Sequence, residues 1–219
     1  EMINREAYDN APNLGAKSDA LRLEAVWRFG GLYIDTDFEC LKPFDVLHER
    51  LDFFAGVSNV GALEVSNGIF AASKRHPLVE AAIRIPEEAL VTPGVATQLK
   101  WIGMPTITAS GPGRFTRVVM GGLLAARDGT SSAWWSHVRE RKEEEEGQVM
   151  HIGRAVIFPT NFFFPLPNSV VSAGPEVRAS MLQETLAPET IALHHWAGSW
   201  LKRQIGLPAW SETVTEGEL

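Results

Sequence analysis

An α/β fold, a sheet with helices packed on its faces, is what this sequence predicts, because strand-like and helix-like segments alternate along most of the chain. Two bulk observations agree. The 219 residues are 45% hydrophobic, enough for one sizeable core. No internal repeat or long linker divides the chain, so residues 1–219 are expected to form a single domain, with 1–12 as a partial start, 139–148 as a charged loop and 203–219 as a tail.

The elements follow in order. "KSDALRLEAVWRFGG" predicts a helix, with Ser18 as its cap, Leu21, Ala25 and Phe29 sharing a face, and Gly30 at the left-handed C-terminal position. "LYID" predicts a short strand, and Pro43 and Asp45 a turn. "LDFFAGV" and "SNGIFAAS" read as two further strands. Pro77 suits the first turn of a helix running to Ile85. Further helices are expected over 93–101 and in "GPGRFTRVVMGGLLAAR", the latter entered through a Gly/Pro turn. "AVIFP" is a strand, "PEVRASMLQETL" an amphipathic helix and "TIALHHW" a last strand.

Charge and cysteine content exclude some functions. A formal net charge of -7 argues against a nucleic-acid binder, which normally presents a basic face. The lone Cys40 supports neither an internal disulfide nor a thiolate metal cluster. No window reaches the roughly 18 apolar residues that a membrane span needs. The chain opens on Glu1 rather than methionine, and its first recognisable element is expected near Asn13, which reads as a piece of a longer protein whose upstream part holds any anchor.

The informative stretch is "GGLYIDTDFECLKP", 30–43. Residues two apart in a strand point the same way, so Asp35 and Asp37 are expected to present their carboxylates together. Like charges so close repel unless a cation lies between them, and magnesium or manganese, which prefer hard oxygen ligands, answer that need. A D-x-D in a solvent-facing turn is the plainer alternative, but this one follows Leu32, Tyr33 and Ile34 rather than a polar loop. Upstream, Asp19 and Arg22 lie three apart on one helix face. They are either an exposed ion pair or, given the short Gly30-Gly31 link, partners of Asp35 in one cleft suited to sugar hydroxyls.

"KSDALRLEAVWRFGGLYIDTDFECLKPFD" closely resembles the signature of the glycosyltransferases with a DXD sugar-binding region, a family that includes initiating α-1,6-mannosyltransferases, inositol-phosphoceramide mannosyltransferases and capsular-polysaccharide transferases. Ser18, Asp19, Arg22, Gly30, Gly31, Tyr33, Asp35, Asp37, Lys42 and Pro43 all stand at its fixed positions. "SNGIFAASKRHPLV", "ASGPGRFT", "FPTNFFFPL" and "ALHHWAGSW" resemble later segments of the same family, so the resemblance covers about Asn13 to Trp200. It implies a GT-A-like nucleotide-sugar transferase fold with a mixed, mostly parallel sheet flanked by helices. The family's first nucleotide-binding strand has no counterpart in this chain.

The resemblance further implies a retaining hexosyltransferase, with mannose the favoured sugar. Its partners would be a nucleotide-sugar donor, GDP-mannose first and a UDP-hexose second, and a glycan or glycolipid acceptor. Its cofactor would be Mn2+ or Mg2+. Asp35 and Asp37 become the catalytic metal-binding pair, with His195 as a third ligand, because it opens an H-x-x-G turn. Asp19, Arg22, Tyr33 and Asn67 would bind the donor sugar, and Ser199 and Trp200 would touch the diphosphate. His194 is expected on the opposite strand face. His48, His76, His137 and His151 show no ligand spacing and read as ordinary surface or loop residues. Trp101, Trp134 and Trp135 read as packing residues rather than an acceptor platform.

Localisation divides by origin: a Golgi membrane protein facing the lumen if eukaryotic, cytoplasmic if bacterial. Two rival readings stand beside the transferase. One is a degenerate transferase fold that binds without turnover. The other is an aspartate-nucleophile phosphohydrolase, disfavoured because Phe38 and Glu39 follow the second aspartate and no downstream acidic pair containing aspartate occurs.

Overall fold

The computed structural model describes residues 2–85, 109–128 and 152–197. The expected helix over 93–101, the charged run 139–148, the tail 203–219, and Trp101, Trp134, Trp135, His137, His151, Ser199 and Trp200 lie outside those residues.

The first element is earlier than expected, a short helix α1 at Arg5–Asp9. Helix α2 spans Leu14–Phe29 and is capped by Asn13, whose side chain accepts from the Ala16 N–H at 2.9 Å. Ser18 lies inside the helix and is not its cap. The face named from spacing is also corrected: Leu21 and Phe29 are exposed, while Ala16, Ala20, Leu23 and Val26 are buried together with Asp19, Arg22 and Glu24. A buried face carrying three charged residues disguises itself as the polar side of an amphipathic helix.

Strand β1, Gly31–Ile34, follows directly, then β2 at Phe38–Cys40 and an unanticipated helix α3 at Asp45–Arg50 in place of a simple turn. Next come β3 at Phe53–Val57, β4 at Val65–Ala72 and α4 at Pro77–Arg84. Helix α5 is Pro112–Asp128 and β5 is Ala155–Phe158. A short α6 at Thr160–Phe163, a 3-10 turn at Asn168–Ser172, α7 at Pro175–Thr185 and β6 at Ala192–His194 complete the described residues.

The main sheet has the order β1-β4-β3-β5, and a second, two-stranded sheet pairs β2 with β6. The sheet is mixed and flanked by helices, as expected, but the parallel share is smaller. Among the described residues only β3 and β5 pair in parallel, whereas β1 with β4, β3 with β4 and β2 with β6 are antiparallel. The β3–β4 link is a short irregular loop, and connections of that length favour antiparallel neighbours.

Successive residues of the central strands alternate between two cores. Phe53, Ala55, Phe70 and Ala72 face α2, α4 and α5 through Leu23, Val26, Leu78, Val79, Phe115 and Val118. Phe54, Ile69 and Ala71 face the other way, onto Phe163, Phe164, Ile191 and Ala192. Because both faces are covered, β4 carries no charged residue and, apart from Asn67, is apolar or small along its length. Each fully buried phenylalanine contributes roughly 1.5–3 kcal/mol. The outcome for function is positional: α2 lies across one face of the sheet while β1 and β4 run side by side beneath it, so helix residues meet the ends of two strands.

Candidate functional site

Arg22 is the hub of the site. Its side chain is 7% exposed, and Nη1 lies 3.2 Å from Oδ1 of Asp35 while also donating to the carbonyl of Asn67 at 2.9 Å. Nη2 donates to Ser18 Oγ at 3.0 Å and lies 3.5 Å from Oδ1 of Asp19. The guanidinium stacks over the Tyr33 ring, 4.4 Å from its centroid. An exposed intrahelical Asp19–Arg22 pair is therefore excluded: both side chains are buried, and the pair reaches across to the end of β1.

Asp19 is held from three sides. Oδ1 accepts from Asn67 Nδ2 at 2.8 Å, Oδ2 accepts from Ser110 Oγ at 2.8 Å, and Arg22 supplies the charge. Burial pushes its carboxyl above the ordinary carboxylate range, against the opposing pull of Arg22, Ser110 and Asn67. Burial likewise raises the Tyr33 hydroxyl to about 12, opposed by Arg22 and reinforced by Asp35, so the phenol stays neutral and donates to Asp35 Oδ1 at 2.6 Å.

Close backbone approach makes this assembly possible at two glycines. Gly30, with φ +71°, ends α2, and a Cβ there would stand 2.9 Å from the backbone nitrogen of Lys74. Gly68 lies beneath Asp35, whose own N–H donates to the Gly68 carbonyl at 2.8 Å. A Cβ on Gly68 would meet Oδ2 of Asp35 at 2.7 Å.

Asp35 and Asp37 do not sit on one strand face. Strand β1 ends at Ile34, a tight turn closes with the Phe38 N–H donating to the Asp35 carbonyl, and the two side chains take different partners. Asp37 faces β6: Oδ1 lies 3.1 Å from Nε2 of His194, and Oδ2 accepts from the Ala197 N–H at 2.9 Å. Burial alone would raise the Asp37 carboxyl, but its bond and charge interaction with His194 and the Ala197 N–H bring it below the usual range, so it is ionised.

The histidine assignment is reversed relative to expectation. The side chain of His194, not that of His195, reaches the Asp37 carboxylate, packed among Phe38, Phe164 and Trp196 with ring centroids 4.4–5.3 Å away, whereas His195 meets Asp37 through its backbone N–H, which donates to the Asp37 carbonyl at 2.8 Å. His195 lies 3.1 Å from Glu39 Oε2 and accepts at Nδ1 from Arg178 at 2.8 Å. Register sets this choice, because Phe38 pairs directly with His194 across the β2–β6 ladder. The sequence showed two adjacent histidines and no means of choosing that register.

The donor set suits a hard divalent cation. Asp35 keeps a third of its side chain exposed, and Asp37 is ionised with lone pairs left beyond its two bonds. Among the described residues no three His, Cys, Asp or Glu side chains close on one point. Magnesium and manganese commonly complete a pair of carboxylates with phosphate oxygens and water, so Asp35 and Asp37 are the residues that would hold one.

Sequence reasoning missed Ser18 as a partner of Arg22, Ser110 as a partner of Asp19, and Gly68. Ser18 could have been found from the i, i+4 spacing to Arg22; Ser110 and Gly68 reach the site only through tertiary folding. His76 is also corrected, from a surface residue to a buried cap of α4.

Comparison with known proteins bears on the same region. Residues 2–54 match the family described as glycosyltransferase sugar-binding region containing DXD motif. Inositol phosphoceramide mannosyltransferase 1 of Schizosaccharomyces pombe is 36% identical over 67 residues, 31% of this chain and 20% of that protein. Inositol phosphoceramide mannosyltransferase 3 of the same yeast is 29% identical over 77 residues, 35% of this chain and 21% of that protein. Subversion of eukaryotic traffic protein A of Legionella pneumophila is 29% identical over 93 residues, 42% of this chain and 14% of that protein. The matches thus span a fifth or less of two of these relatives and about a fifth of the third. A solved structure titled PaToxG Glycosyltransferase aligns over 59% of this chain and 44% of its own, at 17% identity and a TM-score of 0.40.

Proposed function

We propose, from the match of residues 2–54 to the glycosyltransferase sugar-binding region containing DXD motif, that the chain is a metal-dependent transferase moving a hexose, mannose in preference, from a nucleotide sugar to a glycan or glycolipid acceptor with retention of configuration. The observation that carries this reading is the buried Asp19–Arg22–Asp35 linkage with Asn67 at its base, which ends at the part-exposed carboxylate of Asp35, two residues before the ionised Asp37. The mannosyltransferase names of two relatives support the choice of sugar and of a glycolipid acceptor. Retention rests on the family resemblance. No helix among the described residues is long and apolar enough to cross a membrane.

Each residue has a task in that reaction. In transfer, the bond from the sugar's anomeric carbon to the diphosphate oxygen breaks, and an acceptor hydroxyl oxygen bonds to that carbon and sheds its proton to the departing diphosphate or to solvent. Asp35 and Asp37 would hold a divalent cation, which when bound would supply the positive charge that the leaving diphosphate requires. Arg22 orients Asp35 and, with Tyr33, denies it other rotamers. Asp19 and Asn67 lie behind Arg22 and fix its position, so the cleft is preorganised before donor arrives.

Purified chain incubated with GDP-mannose, UDP-glucose and UDP-galactose in the presence of manganese tests the proposal. Manganese-dependent release of GDP from GDP-mannose is expected, and Asp37→Ala should abolish both release and metal-dependent donor binding while the protein still melts cooperatively. Absence of turnover and of nucleotide binding across the panel would sink the enzyme reading and leave a binding protein.

A further inference from the structure

A second cationic site lies at the other end of the same strands. Asp35 and Gly68 mark one end of the β1–β4 pair, while Gly31 pairs with Ala72 at the opposite end, roughly 13 Å away at the rise of a β-strand. There a pocket of about 410 Å³ opens between the last turn of α2, the turn after β4 and the last turn of α4. Ile3, Trp27, Arg28, Phe29, Lys74, Arg75 and Arg84 line it, and among the described residues no acidic side chain does. Four cations on one pocket wall stand out in a chain whose formal net charge is -7.

The local charge balance is uneven. Arg28 lies 2.6 Å from Glu24, and Arg84 lies 2.8 Å from Glu80. Lys74 and Arg75 have no carboxylate partner among the described residues. Among the described residues, the positive charges of Lys74 and Arg75 therefore have no carboxylate paired to them at the pocket. Arg75 and Arg84 are both held over the face of Trp27, at 5.5 and 5.8 Å from its ring centroid, which orients them without neutralising them.

The backbone is arranged to keep them there. Arg75 adopts a left-handed conformation, φ +59°, uncommon for a residue with a side chain, and its N–H donates to the Trp27 carbonyl at 2.7 Å. Lys74 is brought against the end of α2 because Gly30 has no Cβ to obstruct its backbone. At the rim stands Phe29, 79% exposed. A phosphate monoester, carrying between one and a half and two negative charges near neutrality, matches the uncompensated charge, and arginine and lysine are its usual partners (charge about -1.5 to -2).

We propose that this pocket is a second ligand site, separate from the DXD cleft, which binds a phosphomonoester through Lys74 and Arg75 with the ligand's body against Phe29. The phosphomonoester can belong to a free small molecule or to a lipid headgroup. The site does not depend on the transferase reading, since none of its residues takes part in the DXD cleft.

Isothermal titration of the full chain with inorganic phosphate, and flotation with phosphatidylcholine vesicles containing or lacking phosphatidic acid, test it. Saturable binding of either probe is expected, retained in Asp37→Ala, which disables the other cleft while the protein still melts cooperatively, and weakened at least about tenfold in Lys74→Gln/Arg75→Gly. Glycine at 75 accommodates the positive φ, so that variant keeps the turn, and its melting curve confirms folding. Phosphate binding alone assigns a soluble ligand; vesicle binding that requires phosphatidic acid assigns a lipid. No binding of either probe, binding unchanged in the double variant, or binding lost in Asp37→Ala but kept in the double variant would overturn the proposal. Equal flotation with phosphatidylserine vesicles would overturn the preference for a monoester.

Discussion

Nη1 of Arg22 stands 3.2 Å from Oδ1 of Asp35, joining the middle of α2 to the turn after β1. One guanidinium thereby couples the helix, the strand end and, through the Asn67 carbonyl, the neighbouring strand. Replacing it with Met should destabilise the fold by about 3–5 kcal/mol, because Asp19 is left as an uncompensated buried carboxyl. Urea unfolding measures this. A change within 0.5 kcal/mol, the ordinary range for exposed positions, would show that Asp19 finds another partner.

Gly68 is the space under Asp35. Gly68→Ala places a methyl group 2.7 Å from Asp35 Oδ2, so either the carboxylate or β4 must shift. A loss of about 1–3 kcal/mol is expected from overpacking, together with a larger fall in donor turnover than in stability. Gly31→Ala provides the comparison for space alone, since a Cβ there meets nothing within 4 Å, although its φ of +97° still strains the backbone.

The adjacent histidines should behave differently. His194 contacts Asp37, whereas His195 is engaged with Glu39 and Arg178. His194→Ala should lower manganese-dependent turnover by roughly 10–100-fold, the usual effect of removing a group that orients a metal-binding carboxylate. His195→Ala should change it by less than about threefold, below the effect of an orienting group. Equal losses in the two variants would contradict the geometry.

His76 gives the fold an acid-side weakness. Its Nδ1 accepts from the Leu78 N–H at 3.3 Å and its Nε2–H donates to the Ile152 carbonyl at 2.9 Å, so the neutral ring is fully used. Burial lowers its pKa, although the Ile152 carbonyl and Asp52 pull the other way. The folded state therefore binds this proton less readily than the unfolded chain. Stability from this group is complete above the unfolded value of about 6.5 and is lost as pH falls through the lower, folded value. His76→Asn, which can still cap α4, should flatten the fall in melting temperature over that interval.

Asp37 adds a separate loss at lower pH. Its folded pKa is depressed, so its contribution is present above the unfolded value of about 3.9 and disappears as pH falls through the folded value. Asp37→Asn should remove that part of the acid transition while leaving the His76 part in place. Acid titration followed by circular dichroism separates the two.

Local chemistry made much of this protein legible. "GGLYIDTDF" marked the site because two glycines, an apolar run and two acids in a few residues have few structural uses, and β3, β4, α4, α5 and β5 followed from run length, turn residues and Pro77. The same reasoning misplaced the apolar face of α2 at Leu21 and Phe29, which are exposed, although its alternative that Asp19 and Arg22 turn in toward Asp35 is what the structure shows. It also placed Asp35 and Asp37 on one strand face, because nothing local announces that β1 stops at Ile34.

The sequence by itself determined which residue types converge: a helix bearing Asp19 and Arg22, a Gly-Gly joint, and two acids beyond a short strand. Tertiary structure alone decided their partners. Which histidine meets Asp37 depends on the β2–β6 register, and a slip of one residue exchanges His194 for His195. Whether Arg22 is a surface ion pair or a buried hub depends on α2 lying over β4, and whether four cations form one pocket depends on a turn held at Arg75. Pairing, burial and charge compensation are relations between distant segments, and residues that are neighbours in the chain do not contain them.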